Sequence, residues 1–89
     1  MSTALITYDL RKPGQNYQPL WDRLEALGAI RVLESVWAVK TAATAAAIRD
    51  DLQRYIDPND GLVVARIASA AWRNLIGQSG QTLKRMLEG

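Results

Sequence analysis

One carboxylate of this chain occupies a position where it could hold a metal ion. Residues 4–10 are mostly apolar and β-preferring, which predicts a strand that is buried on both faces and ends at Asp9. A carboxylate in such a place loses much of its water and keeps its charge only with a partner. Asp9 therefore either ligates a hard cation next to a phosphate, or starts a turn by accepting hydrogen bonds from the following backbone amides.

Two basic residues follow this aspartate directly. Arg11 and Lys12 are placed to steer or clamp a phosphate, and guanidinium groups match phosphate geometry particularly well. The same pair precedes Pro13 and Gly14, so it also suits an exposed turn. Both interpretations are open, and Arg11 and Lys12 are candidate nucleic-acid contacts.

Three further positions combine polar or aromatic side chains in ways that allow contact with nucleic acid. Ser35, beside Glu34, is either a hydroxyl that contacts substrate or part of a turn. Trp37 can stack on a base, although a tryptophan in a strand is also typical of a core or an interface. Arg73, next to Trp72, contacts nucleic acid or belongs to a packed interface.

The sequence contains neither histidine nor cysteine. This excludes serine–histidine and cysteine–histidine nucleophile pairs, disulfides, and the usual zinc sites. Catalysis would depend on carboxylates, hydroxyls, lysine, arginine or a bound metal. Mg²⁺ takes one or two carboxylates and keeps several waters, so one Asp9 per chain suffices if a second copy supplies its own across a two-fold axis. Mn²⁺, which also favours oxygen ligands, is expected to replace it.

Length and composition predict a single domain over residues 1–89, with a core at about residues 4–68 and a tail at 69–89. Apolar residues make up 48% of the chain, and no segment approaches the roughly 20 apolar residues of a membrane span. The first residues do not form a signal peptide, and the lack of cysteine fits a cytoplasmic protein. The net charge of +2 is too small to demand a nucleic-acid partner, although eight of the eleven cations are arginine.

Periodicity predicts the elements that position these residues. An amphipathic helix follows the first strand and ends at Gly28, and residues 30–41 form two strands broken near Glu34-Ser35. A second helix is capped by Thr41 or Thr44, and its polar side is expected to face solvent. The turn at residues 57–61 then leads into a last strand. The predicted apolar positions of the two helices are Tyr17, Leu20, Trp21, Leu24 and Leu27, and Ala45, Ile48, Leu52, Tyr55 and Ile56.

This order predicts an α+β, ferredoxin-like βαββαβ fold, in which two helices cover one face of an antiparallel sheet. Alternation along the first strand assigns Ala4, Ile6 and Tyr8 to the helix face. The tail is expected to form a short helix over residues 82–88 whose apolar side packs either on a neighbouring copy or protein partner, or on its own domain.

Several short motifs on these elements resemble the CRISPR-associated protein 2 superfamily. They are Tyr8-Asp9, Leu27-Gly28, RVLESVW at residues 31–37 and DGLVV at residues 60–64. The resemblance covers roughly residues 4–68 and implies a homodimer with its uncovered sheet faces together. It also implies that Asp9 is the metal-linked catalytic residue and that the hydroxyl of Ser35 lies nearby. The tail differs, which favours a standalone relative such as the virulence-associated protein D type ribonucleases of toxin–antitoxin systems.

The residues and the resemblance together suggest a homodimeric protein that associates with RNA or DNA, as a Mg²⁺-dependent endoribonuclease that uses paired Asp9 residues. The alternative is a non-catalytic module, either a DNA-binding adaptor or a toxin–antitoxin interaction partner. A small-molecule sensor of the same fold is a third hypothesis. An enzyme needs the Asp9 carboxylate beside an accessible cleft, whereas an adaptor needs only a basic surface.

Overall fold

Residues 1–88 form a four-stranded antiparallel sheet with helices on both faces, in the computed structural model of the chain. The strands are β1 (Ser2–Asp9), β2 (Ile30–Leu33), β3 (Val36–Thr41) and β4 (Gly61–Ile67), and the helices are α1 (Gln18–Ala26), α2 (Ala45–Leu52) and α3 (Ser79–Glu88). The strand order is β2-β3-β1-β4. The predicted α+β class with an antiparallel sheet is therefore confirmed. Among these residues, no helix has the length and apolar content needed to cross a membrane.

The first face of the sheet packs under α1 and α2. Ala4, Ile6 and Tyr8 of β1 are buried there, as the alternation predicts. The helices contribute residues at three- and four-residue spacing, so that one side of each helix meets the sheet. The buried helix residues in this core are Leu20, Leu24, Ile48 and Leu52.

Local signals in the sequence locate the ends of these elements correctly. Gly28 follows α1 with φ +84, a conformation that a residue with a side chain rarely adopts. The Thr44 hydroxyl caps α2 by accepting a hydrogen bond from the Ala47 backbone N–H at 3.1 Å. Glu34 and Ser35 form the turn between β2 and β3. These features fix the loops at both ends of the sheet.

The polar sides of α1 and α2 are joined by an ion pair, which differs from the solvated surface predicted for Asp51. Arg23 donates from Nε and Nη2 to the two carboxylate oxygens of Asp51, at 3.0 and 2.7 Å. The hydrogen bonds from Arg23 lower the pKa of Asp51 below its usual value, against the opposing effect of burial. The partner of Asp51 lies on a different helix, so the spacing of residues within α2 alone does not reveal it.

The C-terminal tail packs on the second face of the sheet of its own chain. Leu83 of α3 is buried against Val32 and Ala38, with Met86 and Leu87 partly buried beside it. Of the two partners that the sequence left open, this is the one the structure shows. The second face is thus partly covered by α3, which differs from the uncovered sheet face that the resemblance implies.

Helix α3 begins at Ser79, three residues before the predicted start at Thr82. Gly80 lies in the first turn of α3, close to the indole of Trp72: a Cβ added at Gly80 would lie 3.0 Å from Trp72 Nε1. A glycine there lets the helix approach the tryptophan. The segment before α3 is anchored to the sheet edge, because the Ile76 N–H donates to the Val32 carbonyl at 3.0 Å.

One cross-strand row of the second face stays partly open, at the end of the sheet that carries Asp9. The pairing of Leu33 with Val36, of Val36 with Thr7, and of Thr7 with Val63 places these four residues side by side across the sheet. The two ends of the row are exposed, with Leu33 at 41% and Val63 at 58%. We call these four residues the open row.

Candidate functional site

The sheet brings Asp9 and Ser35 to the same end of the molecule. The Tyr8 backbone N–H donates to the Ser35 carbonyl at 3.3 Å, which fixes the turn between β2 and β3 beside the end of β1. Both residues line a cleft of about 330 Å³ together with Tyr8, Leu10, Trp21, Arg31 and Glu34. We call this the Asp9 cleft. The proximity of Asp9 and Ser35 that the resemblance implies is present in the structure.

Asp9 itself is far more exposed than the strand pattern predicts. Its side chain is 71% accessible and accepts a hydrogen bond from Arg11 Nε at 3.0 Å. The residue opposite it on β4 is Gly61, which has no side chain to cover the carboxylate. The prediction that Asp9 has lost much of its water is wrong, because the strand ends at an open corner. Asp9 nevertheless has the accessible carboxylate that a metal ligand needs.

Arg11 and Lys12 are both engaged by the turn at residues 57–60. Arg11 Nη1 donates to the Asn59 carbonyl at 3.1 Å, and Lys12 Nζ lies 3.2 Å from Asp57 Oδ2. More than half of each basic side chain is exposed, so these contacts leave the cations accessible to an incoming phosphate. Both the phosphate and the turn interpretation therefore remain compatible with their positions.

Asp60 is the centre of this turn. Its carboxylate accepts hydrogen bonds from the Arg11 backbone N–H at 2.6 Å, the Tyr17 hydroxyl at 2.7 Å and the Asp57 backbone N–H at 2.9 Å. Burial alone would raise the pKa of Asp60, but these hydrogen bonds outweigh it and hold the pKa below its usual value. Burial and the hydrogen bond to Asp60 raise the pKa of Tyr17. Asp60 thus ties the chain after Asp9 to the start of β4.

The lowered pKa values of Asp51 and Asp60 predict a loss of stability in acid. Each carboxyl binds its proton more weakly in the folded state than in the unfolded state, whose pKa is about 3.9. Their contribution is complete above that value and is lost as the pH falls through the folded pKa. We expect urea midpoints to fall below about pH 4. Asp60→Asn should weaken this pH dependence relative to Asp50→Asn on the exposed side of α2; equal pH profiles would contradict the assigned role.

A cluster around the Tyr8 hydroxyl forms the inner wall of the Asp9 cleft. This oxygen accepts hydrogen bonds from Trp37 Nε1 at 3.0 Å, Trp21 Nε1 at 3.1 Å and Arg31 Nη2 at 3.3 Å. The hydroxyl donates to the Glu34 carbonyl at 3.3 Å. One phenol therefore holds α1, β2, β3 and the turn of Ser35 in fixed positions.

Arg31 completes this cluster by lying against both indole rings. Its guanidinium carbon is 5.1 Å from the Trp21 ring centre and 5.4 Å from that of Trp37, and Nε donates to the Glu34 carbonyl at 2.9 Å. The sequence pattern predicts an apolar helix position for Trp21 and a core, interface or base-stacking position for Trp37, but it predicts no role for Arg31. An available signal was an arginine in a short strand that pairs directly with a tryptophan strand.

The remaining predicted site residue lies on another element. Arg73 is exposed in the segment between β4 and α3, and it is not among the residues that line the Asp9 cleft. Within residues 1–88, no three histidine, cysteine, aspartate or glutamate side chains gather into a group that could hold a metal ion. Two carboxylates, those of Asp9 and Glu34, line the Asp9 cleft, and carboxylate oxygens are ligands that suit Mg²⁺.

The comparisons with known proteins assign no family. No family model matches the chain, and no solved structure matches it. The geometry of the Asp9 cleft and of the surfaces around it is therefore the basis for a functional proposal.

Proposed function

We propose that this chain is a homodimeric nucleic-acid-associated protein of ferredoxin-like fold, in which paired Asp9 carboxylates hold Mg²⁺ for the cleavage of RNA. The observation that carries the proposal is the exposed carboxylate of Asp9 beside Ser35 and the open row. Asp9 lies at the rim of an accessible cleft, as an enzyme of this kind requires. The open row gives a second copy an apolar surface next to that carboxylate.

The ferredoxin-like assignment is supported by the chain order and the sheet order. The first six elements run β1, α1, β2, β3, α2, β4, and both crossover helices lie on one face of the sheet. Read from the β4 edge, the strands follow the order 4-1-3-2. This is the order expected when two βαβ units are interleaved in one antiparallel sheet. Helix α3 is an addition on the opposite face. The same order agrees with the resemblance to the CRISPR-associated protein 2 superfamily.

The roles proposed for the cleft residues follow from their chemistry. The Asp9 carboxylate would ligate the cation, and the neighbouring Arg11 guanidinium would bind a phosphate of the substrate. The Ser35 hydroxyl can donate a hydrogen bond to a phosphate oxygen or a ribose hydroxyl at the rim. When bound, Mg²⁺ supplies polarisation of a phosphoryl oxygen. The Tyr8 cluster holds the wall of the cleft in place while substrate binds.

A non-catalytic adaptor is the second candidate, and the Asp9–Arg11 ion pair favours it. An aspartate that is mainly the partner of Arg11 orients that guanidinium, and the cation rather than the carboxylate then contacts the nucleic acid. In that case the binding affinity falls as salt is added. The logarithm of the binding constant decreases with the logarithm of the salt concentration, with a slope of roughly 0.7 per phosphate contact on a single strand. Cleavage is absent, and removal of the Asp9 charge changes binding only modestly.

The dimer is tested by introducing a charge into the open row. Light scattering of the parent at micromolar concentration should give twice the chain mass of 9.9 kDa. Val63→Asp should shift the protein to the monomer, because a carboxylate would be desolvated at the interface. The matched control, Ala46→Asp, adds the same charge on the exposed side of α2 and should remain dimeric. A monomeric parent, or a dimer that Val63→Asp leaves intact, would remove the open row as the interface.

A further inference from the structure

A second cleft, formed by the C-terminal tail, has the features of a site for single-stranded nucleic acid. It has a volume of about 360 Å³, within the usual range for ligand sites, and lies between the segment before α3 and the first turns of that helix. Trp72 lines it and is 39% exposed. We call it the Trp72 cleft. It shares no lining residue with the Asp9 cleft.

The charge and polarity of the Trp72 cleft are suited to a polyanion. The polar residues that line it are Asn74, Gln78, Gln81 and Lys84, and none of its lining residues, all within residues 1–88, is acidic. Arg73 is an exposed cation that follows Trp72 in the chain, outside the residues that line the cleft. Lys84 lies 3.8 Å from Glu88, one turn further along α3, but its side chain is 71% exposed, so this pair is weak.

The indole of Trp72 lies against the first turn of α3. The contact is at Gly80, where the absence of a side chain permits the close approach. The segment that carries Trp72 is anchored at two points. The Ile76 N–H donates to the Val32 carbonyl, and Leu75 packs against the cluster of Val32, Ala38 and Leu83. A part-exposed indole beside a lysine and several amides is an arrangement on which unpaired bases stack.

We propose that the Trp72 cleft binds single-stranded nucleic acid, with a base stacked on Trp72 and the flanking phosphates on Arg73 and Lys84. The proposal rests on the proposed function, since it takes nucleic acid as the partner, and it adds where the strand lies. The amides of Asn74, Gln78 and Gln81 are available to hydrogen-bond base edges or the backbone.

The test measures binding of a fluorescein-labelled oligouridylate by fluorescence anisotropy. Its length of about 12 nucleotides lies within the range that one OB-fold domain covers on a single strand. Trp72→Ala should weaken binding roughly ten- to a hundredfold, as loss of one base stack does, and Trp72→Phe should restore most of it. The double variant Arg73→Glu with Lys84→Glu should lower the salt slope by roughly 1.4, for two phosphate contacts. Arg49→Glu with Arg54→Glu, which also reverses two exposed cations, is the matched control and should leave the slope nearly unchanged.

The outcomes separate this site from the proposed function. A parent that does not bind the oligonucleotide at low salt would overturn both. A parent that binds, with Trp72→Ala and the Arg73/Lys84 variant binding equally well, would overturn the Trp72 cleft alone and leave nucleic-acid association standing. If Trp72→Ala instead dissociated the dimer without changing binding, the indole would belong to a protein interface and the site would be overturned. An unchanged circular dichroism melt excludes unfolding as the cause of weaker binding.

Discussion

Tyr8→Phe is expected to destabilise the fold by about 2–3 kcal/mol, which is a large part of the stability of a small domain. The substitution keeps the ring in the core and removes one oxygen. That oxygen is the acceptor for the indole N–H groups of Trp37 and Trp21 and for Arg31. A buried donor left without an acceptor costs about 1–3 kcal/mol. Trp37 is only 3% exposed and cannot turn to water, whereas the half-buried Trp21 can recover part of the loss.

Urea denaturation of the parent and of two phenylalanine variants measures this effect. Tyr55→Phe is the matched control, because the half-buried Tyr55 ring contacts the Arg54 guanidinium through its face, which phenylalanine retains. The control should change the free energy of unfolding by less than about 0.5 kcal/mol. If Tyr8→Phe lowers the free energy of unfolding by less than about 1 kcal/mol, the hydroxyl does not stabilise the cluster. The wall of the Asp9 cleft would then be stabilised by packing alone.

The elements that the sequence predicted are those with local signals. Alternation along β1 places Tyr8 on the helix face because side chains of a strand point to opposite faces in turn. Gly28 and Thr44 mark helix ends because their own backbone or side chain satisfies the requirement of a cap. Such features need no knowledge of distant parts of the chain, so they can be assigned from spacing and residue type.

The features that the sequence did not predict depend on contacts between distant elements. An amphipathic pattern shows that α3 must cover its apolar side, but it does not distinguish the sheet of its own chain from that of a second copy. The exposure of Asp9 depends on Gly61, which the pairing of β1 with β4 places opposite it. Arg31 meets two tryptophans only after the pairing of β2 with β3 and the packing of α1 are fixed.

The candidate site shows the same division. A carboxylate at a strand end, with basic residues after it, is visible in the sequence and is present at the rim of an accessible cleft. Arg11 has one local partner, the Asp9 carboxylate, whereas the other partners of the two basic residues lie about fifty positions away, in the turn of Asp57 and Asn59. The residue types at positions 57–61 predict the turn itself. Which segment the turn contacts depends on the pairing of β4 with β1. Charge pairing of this kind is therefore a tertiary property.

The second large effect is expected at Asp9. Asp9→Asn keeps the shape of the side chain and removes the charge that binds a hard cation. Cleavage of a labelled single-stranded RNA with Mg²⁺ should fall by orders of magnitude, while the protein remains folded and dimeric because Asp9 is exposed and outside the core. Mn²⁺ should support activity in the parent, and a chelator should abolish it.

Comparison of Asp9→Asn with Asp22→Asn is the most direct measurement of whether paired Asp9 residues form a metal-dependent nuclease. Asp22 is an exposed carboxylate on α1 that accepts a hydrogen bond from Gln18 Nε2 at 2.8 Å, so its substitution removes the same charge from a residue that does not line the cleft. We predict that the parent and Asp22→Asn cleave RNA equally and that Asp9→Asn does not. Equal cleavage by all three proteins would contradict the proposal and indicate a contaminating nuclease, and binding without cleavage by the parent would leave the adaptor as the function.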